Sequence, residues 1–463
     1  MTDTTSPSTS TEESIKTVFK PFPHYIHVTK NANGRLQVKT NTHLIEDVPI
    51  DNLSYLAYPY AGCGCTVELK CDDEELRQAV YLELEKNTDL YPYLDDEHPV
   101  LTNAYSNWVH AFHNKDIFKS IRSLCKSAKG RDILFLGAGP SLAANADLVK
   151  QLIVENRVIC IAGGSAIRQC AKLGIFPHLA LAFDPRVHEQ HVVFQYLSDE
   201  FMEKVSFVTN QGLYNPCFKR IKKAYMTCSS SLPDLCNWLE PEEWILPEGR
   251  IGVSTIVPFL ADLMDAKRLV YIGVDLQYAD GGKRYHDMED LQRAADSQDF
   301  EGIDTRLAWI REAVNIEGNQ QHIDTKLFNA SETSLFQKVG LPFLPLTELL
   351  NNPAQEFTVT PVEKQTPTQD LLQKMELLLV QFEAMAAKPQ SYKTDLELRD
   401  TEAFMWVVST YDMLQQFREV RTGDYNHVLL KHFIKNNVRW LKEALANPAI
   451  ADGKDNDRQS KEN

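Results

Sequence analysis

The sequence predicts an α/β fold: a doubly wound, Rossmann-like parallel sheet, with a small N-terminal α+β region before it and a helical C-terminal domain after it. Three observations carry this reading. Short continuous apolar runs alternate with helix-like segments between about 130 and 275. Gly, Ser, Asp and Asn follow those runs, at the positions where ligands bind in open parallel sheets. Past about 365 the strand signals stop, Gly almost vanishes, and apolar residues recur at helical spacing.

The elements follow in order. Residues 1–15 are polar and acidic and read as a disordered tail. Residues 16–128 form the α+β region, with β-like runs at 24–28, 36–38 and 65–69 and an Asn33-Gly34 turn signal. A helix is expected over 72–86, with Leu76, Val80 and Leu84 on one stripe, and another over 104–126. The nucleotide-binding domain is expected at 129–352, with strands at 133–136, 158–162, 179–183, 205–209 and 268–272. Helices should lie between them at 142–154, 164–173, 188–200 and 254–265. Fully apolar strands alternating with helices imply a parallel sheet covered on both faces. Residues 365–450 form the helical domain, with segments at 369–386, 400–420 and 427–446, and 453–463 reads as a second tail.

Composition excludes some classes. Hydrophobic residues make up 43% of the 463 and charged residues 24%, as in an ordinary globular protein. A net charge of −16 repels a phosphate backbone, so no nucleic acid partner is expected. No apolar run reaches about 18 residues, so no membrane span is expected. The N-terminus lacks the basic and apolar parts of a secretory signal, and the nine cysteines read as reduced thiols in a cytoplasmic protein.

The stretch Asp132–Leu142, DILFLGAGPSL, is the most informative. It reads as a buried strand turning into a helix whose first-turn N–H groups can hold a phosphate. Gly137 and Gly139 would let the backbone approach the anion, and Ser141 Oγ would donate to it. Leu142 stands where a full G-x-G-x-x-G has its third Gly, and the βα turn of any doubly wound domain is the plainer reading. The other strand ends carry Gly163, Gly164 and Ser165, then Asp184, then Asn210 and Gln211, then Gly273, Asp275 and Gln277.

The segments GAGPSL, IAGGSAI, HLALAFDP and IGVSTIVPFLADLMDAKRLVYIGVDLQYADGGKRYH, in this order and spacing, resemble the motility accessory factor (Maf) family. That family shares its domain with 6-hydroxymethylpterin diphosphokinases and is similar in fold to bacterial CMP-sialic-acid transferases. The resemblance covers about 130–350. The closing element of the family tends to read Asn-x-Thr-Glu-Gly-Gly, where this chain has Asn329-Ala330-Ser331-Glu332-Thr333-Ser334.

The resemblance implies a glycosyltransferase that moves a sugar, a nonulosonic acid from a CMP-activated donor, to a protein such as flagellin or to a surface glycan. The phosphate must then be held, the acceptor hydroxyl must lose a proton, and the leaving phosphate must be stabilised. Gly137, Gly139 and Ser141 would hold the phosphate, and Gly163, Gly164 and Ser165 the ribose or base, with Asn210 and Gln277 at neighbouring tips. Asp184 could bind acceptor, ribose or a divalent metal, or simply cap a helix. Asp275 carries the same ambiguity and is taken as catalytic. His286 is the candidate general base, since an imidazole titrates near neutrality and the resemblance places a His here. His188 with His191, one helical turn apart near Asp184, and His110 with His113 lack a strong third metal ligand, and Cys63, Cys65 and Cys71 lack C-x-x-C spacing, so no metal is expected there. Tyr278 and Tyr285 flank the candidate base and could stack on a ligand or pack in the core.

Two alternatives stand beside this. A 6-hydroxymethylpterin diphosphokinase would move diphosphate from ATP with Mg²⁺ held by carboxylates such as Asp184 and Asp275. A non-catalytic nucleotide-binding module would keep the pocket without turnover.

Overall fold

A computed structural model of the chain describes residues 24–30, 36–39, 44–48, 67–70, 76, 99–185, 188–229, 232–246, 252–278, 297–300, 302–388 and 425–446. The chain divides into two compact units, Met1–His98 and Pro99–Asn463.

In the first unit, four strands form one sheet: β1 (His24–Lys30), β2 (Leu36–Lys39), β3 (Leu44–Val48) and β4 (Val67–Lys70). The order is β3-β2-β1-β4, with β1 antiparallel to β2 and parallel to β4. Of the helix expected at 72–86 only Leu76 is described; it is helical and buried.

The second unit is built on eight described strands. They are β5 (Phe118–Ser120), β6 (Asp132–Leu136), β7 (Ile159–Gly163), β8 (Leu179–Ala182), β9 (Ser206–Asn210), β10 (Ala224–Thr227), β11 (Arg268–Ile272) and, after a separate hairpin of β12 (Ser297–Phe300) and β13 (Ile303–Arg306), β14 (Lys326–Asn329). The order is β14-β11-β6-β7-β8-β9-β10-β5, and every pairing is parallel. This is the predicted doubly wound sheet.

Alternation along each strand explains why the runs are apolar throughout. Leu134, Leu136, Cys160, Ala162, Ala180 and Ala182 feed the core on one face. Ile133, Phe135, Ile159, Ile161, Leu179 and Leu181 feed the core on the other. The chain winds from β6 outward to β10, then returns to place β11 and β14 on the other side of β6. Strand β6 is thus where the winding reverses, the position that opens a crevice at the strand ends.

Three expectations are corrected. The helix expected over 104–126 is Pro99–His113, and Phe118–Ser120 is a strand instead. Phe118 is fully buried and stacks on Phe218 at 4.5 Å, so pairing with β10 overrides the local helical spacing. The segment over 142–154 is two helices, Pro140–Ala144 and Ala146–Val154, and the segment over 188–200 breaks after Val192. Strands β10 and β14 lie outside the predicted set, because AYMT and KLFN mix polar with apolar residues and lack the continuous apolar run that marks β8.

The helices Thr368–Ala387 and Tyr425–Ala446 pack against each other and against Pro99–His113. Tyr105 donates to Asn437 Oδ1 at 2.8 Å across that contact. The helix expected at 400–420 and both tails lie outside the described residues.

Candidate functional site

At the switch strand, the β6 and β11 tips press together. Gly137 N–H donates to the Ile272 carbonyl at 2.8 Å, and Gly139 N–H to that of Gly273 at 2.6 Å. A Cβ on Gly137 would overlap the Gly273 carbonyl, and one on Gly273, whose φ is +73°, would overlap the Gly137 carbonyl. The glycines are therefore required by backbone packing. A Cβ on Gly139 would collide with the Asp275 carboxylate.

That carboxylate occupies the start of the helix Pro140–Ala144. Asp275 accepts from Ser141 N–H at 2.9 Å and from Ser141 Oγ at 2.5 Å. Ser141 Oγ also accepts from Gly273 N–H at 2.9 Å and lies 2.7 Å from Ser331 Oγ. With its own proton on Asp275, Ser141 accepts from Ser331 as well. The tips of β6, β11 and β14 are latched through one hydroxyl. Ser331 and Ser334, in the closing element without glycines, are both 1% exposed. Ser334 Oγ donates to the Val274 carbonyl at 3.0 Å.

The β7 tip differs. Gly164 has φ 54° and ψ −130°, a conformation for glycine, and starts the nine-residue helix Ser165–Leu173. Its first-turn N–H groups at Ser165 and Ala166 take no acceptor among the described residues. This is the open helix start of the site, and Ser165 is partly exposed. One turn on, the Gln169 amide is 1% exposed, with neither its oxygen nor its nitrogen hydrogen-bonded among the described residues.

Val253 crowds Gly163, standing 2.8 Å from where a Cβ would be, with Phe135 beside it. The turn Gly252–Thr255 carries Ser254, whose hydroxyl donates to Glu312 on the helix Leu307–Asn319. Neither Ser254 nor Glu312 was singled out from sequence: 254–265 reads there as a helix, and no local motif marks Glu312.

The β8 and β9 tips are held from behind. Asn103 Nδ2 donates to the carbonyls of Pro185 at 2.8 Å and Gly212 at 3.2 Å. Asn107 Nδ2 donates to those of Gln211 at 2.8 Å and Leu213 at 2.7 Å. Asp184 is partly exposed, and its carbonyl accepts from Tyr214 N–H at 3.0 Å. Asn210 is turned into its own loop, accepting from Gly212 N–H at 2.8 Å, and is 2% exposed. Gln211 donates to Cys236 Sγ at 2.7 Å. Gln277 is partly exposed at the β11 tip. Tyr278 is core, with its ring centre 4.8 Å from that of Trp309.

His286, Gly281, Gly282 and Tyr285 lie outside the described residues, as do Cys63, Cys65 and Cys71. His191 is exposed, and His110 packs edge-on to Phe118 and Phe218. Burial, then Lys219 and His113, depress the His110 pKa to about 4. Among the described residues no group of three His, Cys, Asp or Glu side chains could hold a metal ion. No described helix is long and apolar enough to cross a membrane.

A parallel doubly wound sheet, with glycine-rich tips around the switch strand and an open helix start beside it, defines a Rossmann-like α/β protein. Residues 106–281 match the model of the MptE-like family, described as 6-hydroxymethylpterin diphosphokinase MptE-like. Among solved structures, the chain is similar to the Maf glycosyltransferase from Magnetospirillum magneticum AMB-1, with a TM-score of 0.52 and 10% identity, over 87% of this chain and 68% of that one. At that identity the likeness is one of fold. No curated protein matches the sequence.

Proposed function

We propose that the protein is a Maf-type glycosyltransferase that takes a CMP-activated nonulosonic acid and modifies a protein, flagellin among the candidates, or a surface glycan. The observation that carries this is the open Gly164–Ser165 helix start beside the switch strand of a Maf-type fold. The donor phosphate binds the N–H groups of Ser165 and Ala166, with Asp184 and Gln277 at the rim. Gly137, Gly139 and Ser141 shape the neighbouring wall. A phosphate on the Ser141 N–H would first have to displace a carboxylate. Asp275 therefore acts as a positioning residue that holds three tips in register, in place of the catalytic role expected from sequence. His286 supplies the general base.

The family description favours a second reading, transfer of diphosphate from ATP to a pterin alcohol. A thermal-shift series separates the two, because a ligand that binds only the native state raises its melting temperature. CMP and CMP-sialic acid should stabilise the protein without metal. Stabilisation by ATP only with Mg²⁺, and none by CMP, would support the diphosphokinase. No shift with any ligand would refute both.

A further inference from the structure

We infer that the Gln169 amide binds a phosphate of the ligand together with the first turn of its helix, a reading that rests on the nucleotide-sugar function above for the ligand's identity. The helix Ser165–Leu173 is nine residues long, and its faces sort by partner. Ala166 and Cys170 are fully buried and join the sheet core with Leu136, Ala162 and Ala182. Arg168 and Lys172 carry cations that lie 5.4 and 5.0 Å from the centre of the Tyr196 ring. Gln169 falls between these two groups, four residues after Ser165 and therefore on its face. Helix side chains tilt towards the N-terminus, and a long one covers the turn before its own Cα. The Gln169 amide thus leans over the first turn, where the Ser165 and Ala166 N–H groups have no acceptor among the described residues.

Burial makes this amide informative. Gln169 is 1% exposed, and neither Nε2 nor Oε1 has a hydrogen-bond partner among the described residues. A buried amide without partners destabilises a fold, and a methionine, of similar length and helix propensity, would avoid that cost. Such an orphan calls for a partner that the chain itself does not supply. The groups gathered here are rich in donors: two backbone N–H groups, the Ser165 hydroxyl and the two hydrogens on Gln169 Nε2. Donors at the positive end of a helix suit an oxygen-rich anion. The first turn takes one phosphate oxygen and Gln169 Nε2 takes a second.

The test measures Kd by calorimetry for inorganic phosphate, CMP and cytidine. The proteins are the wild type, Gln169→Met and Gln169→Glu, each checked for folding by circular dichroism. The wild type should bind phosphate and CMP more tightly than cytidine. Gln169→Met should weaken both by about 10- to 100-fold. Gln169→Glu keeps the shape and should weaken them further, because its carboxylate repels the anion. Without ligand, Gln169→Met should keep or raise the urea midpoint, since it removes an unpaired buried amide. A lower midpoint would reveal a partner inside the fold and overturn the subsite. Unchanged affinities in both variants overturn it while leaving the nucleotide-sugar reading intact. A loss confined to CMP, with phosphate affinity unchanged, also overturns it, since Gln169 would then read ribose or base. Phosphate binding that depends on Gln169, without any gain from the nucleoside, keeps the subsite and overturns the nucleotide reading. A wild type that binds neither phosphate nor CMP overturns both. Should Gln169→Glu not fold, Gln169→Met carries the comparison.

Discussion

Replacing Asp275 by alanine should loosen the junction of three strand tips. Asp275 is 4% exposed and accepts two hydrogen bonds from Ser141, at 2.9 Å from the N–H and 2.5 Å from Oγ. A hydrogen bond to a charged group contributes about 1.5–3 kcal/mol, and a lost helix cap costs about 1 kcal/mol. The Ser141 hydroxyl keeps Ser331 beside it, so the loss falls mainly on the N–H and on the cavity left behind. Asp275→Ala should therefore cost about 2–4 kcal/mol. Asp275→Asn keeps an acceptor for the N–H and should cost about 1–2 kcal/mol, since its amide can donate to Ser141 Oγ once that hydroxyl turns to Ser331. Urea unfolding, with midpoints compared at unchanged slope, reads both values. An Asp275→Ala protein within about 0.5 kcal/mol of wild type would refute the latch.

Other outcomes follow from the same structure. Gly137→Ala should destabilise by more than about 2 kcal/mol, because its methyl would meet the Gly273 carbonyl; wild-type urea stability would show that the tips separate freely. Lys364→Met should cost about 3–5 kcal/mol, since Lys364 is the cation between buried Glu240 and Glu243; a neutral result in the same assay would refute a stabilising role for these ion pairs. His178 is held neutral, its pKa depressed to about 4 by burial and then by Arg131, while its Nδ1 accepts from Cys160 N–H at 3.0 Å. The unfolded chain binds that proton below about 6.5, so stability is complete above that pH and falls as pH drops toward 4, by at most about 1.4 kcal/mol per unit for this group. His178→Asn, which keeps an acceptor but does not titrate, should flatten the slope; an unchanged pH profile would contradict the assignment.

Periodicity and punctuation in the sequence determined the parallel sheet, the row of tips at its edge and the long C-terminal helices. A buried strand must be apolar on both faces, and the loop after it must turn, so both leave marks within a few residues. The hydrogen-bonding edge of a strand leaves no such mark, so the neighbours of β5, β10 and β14 came only from tertiary pairing. Phe118 shows the limit: its surroundings have helical spacing, and the Phe218 ring decides the matter. The site divides the same way. The glycines at 137, 139, 163 and 164 were legible, but not what each makes room for. Only the fold shows that Gly273 and Asp275 fill the space at the first pair, and that the second pair borders an open helix start. Glu312 meets Ser254 across 58 residues, and Asn103 reaches Gly212 across 109. Contacts between side chains so far apart depend on how whole elements stack, and no local pattern of residue types encodes that.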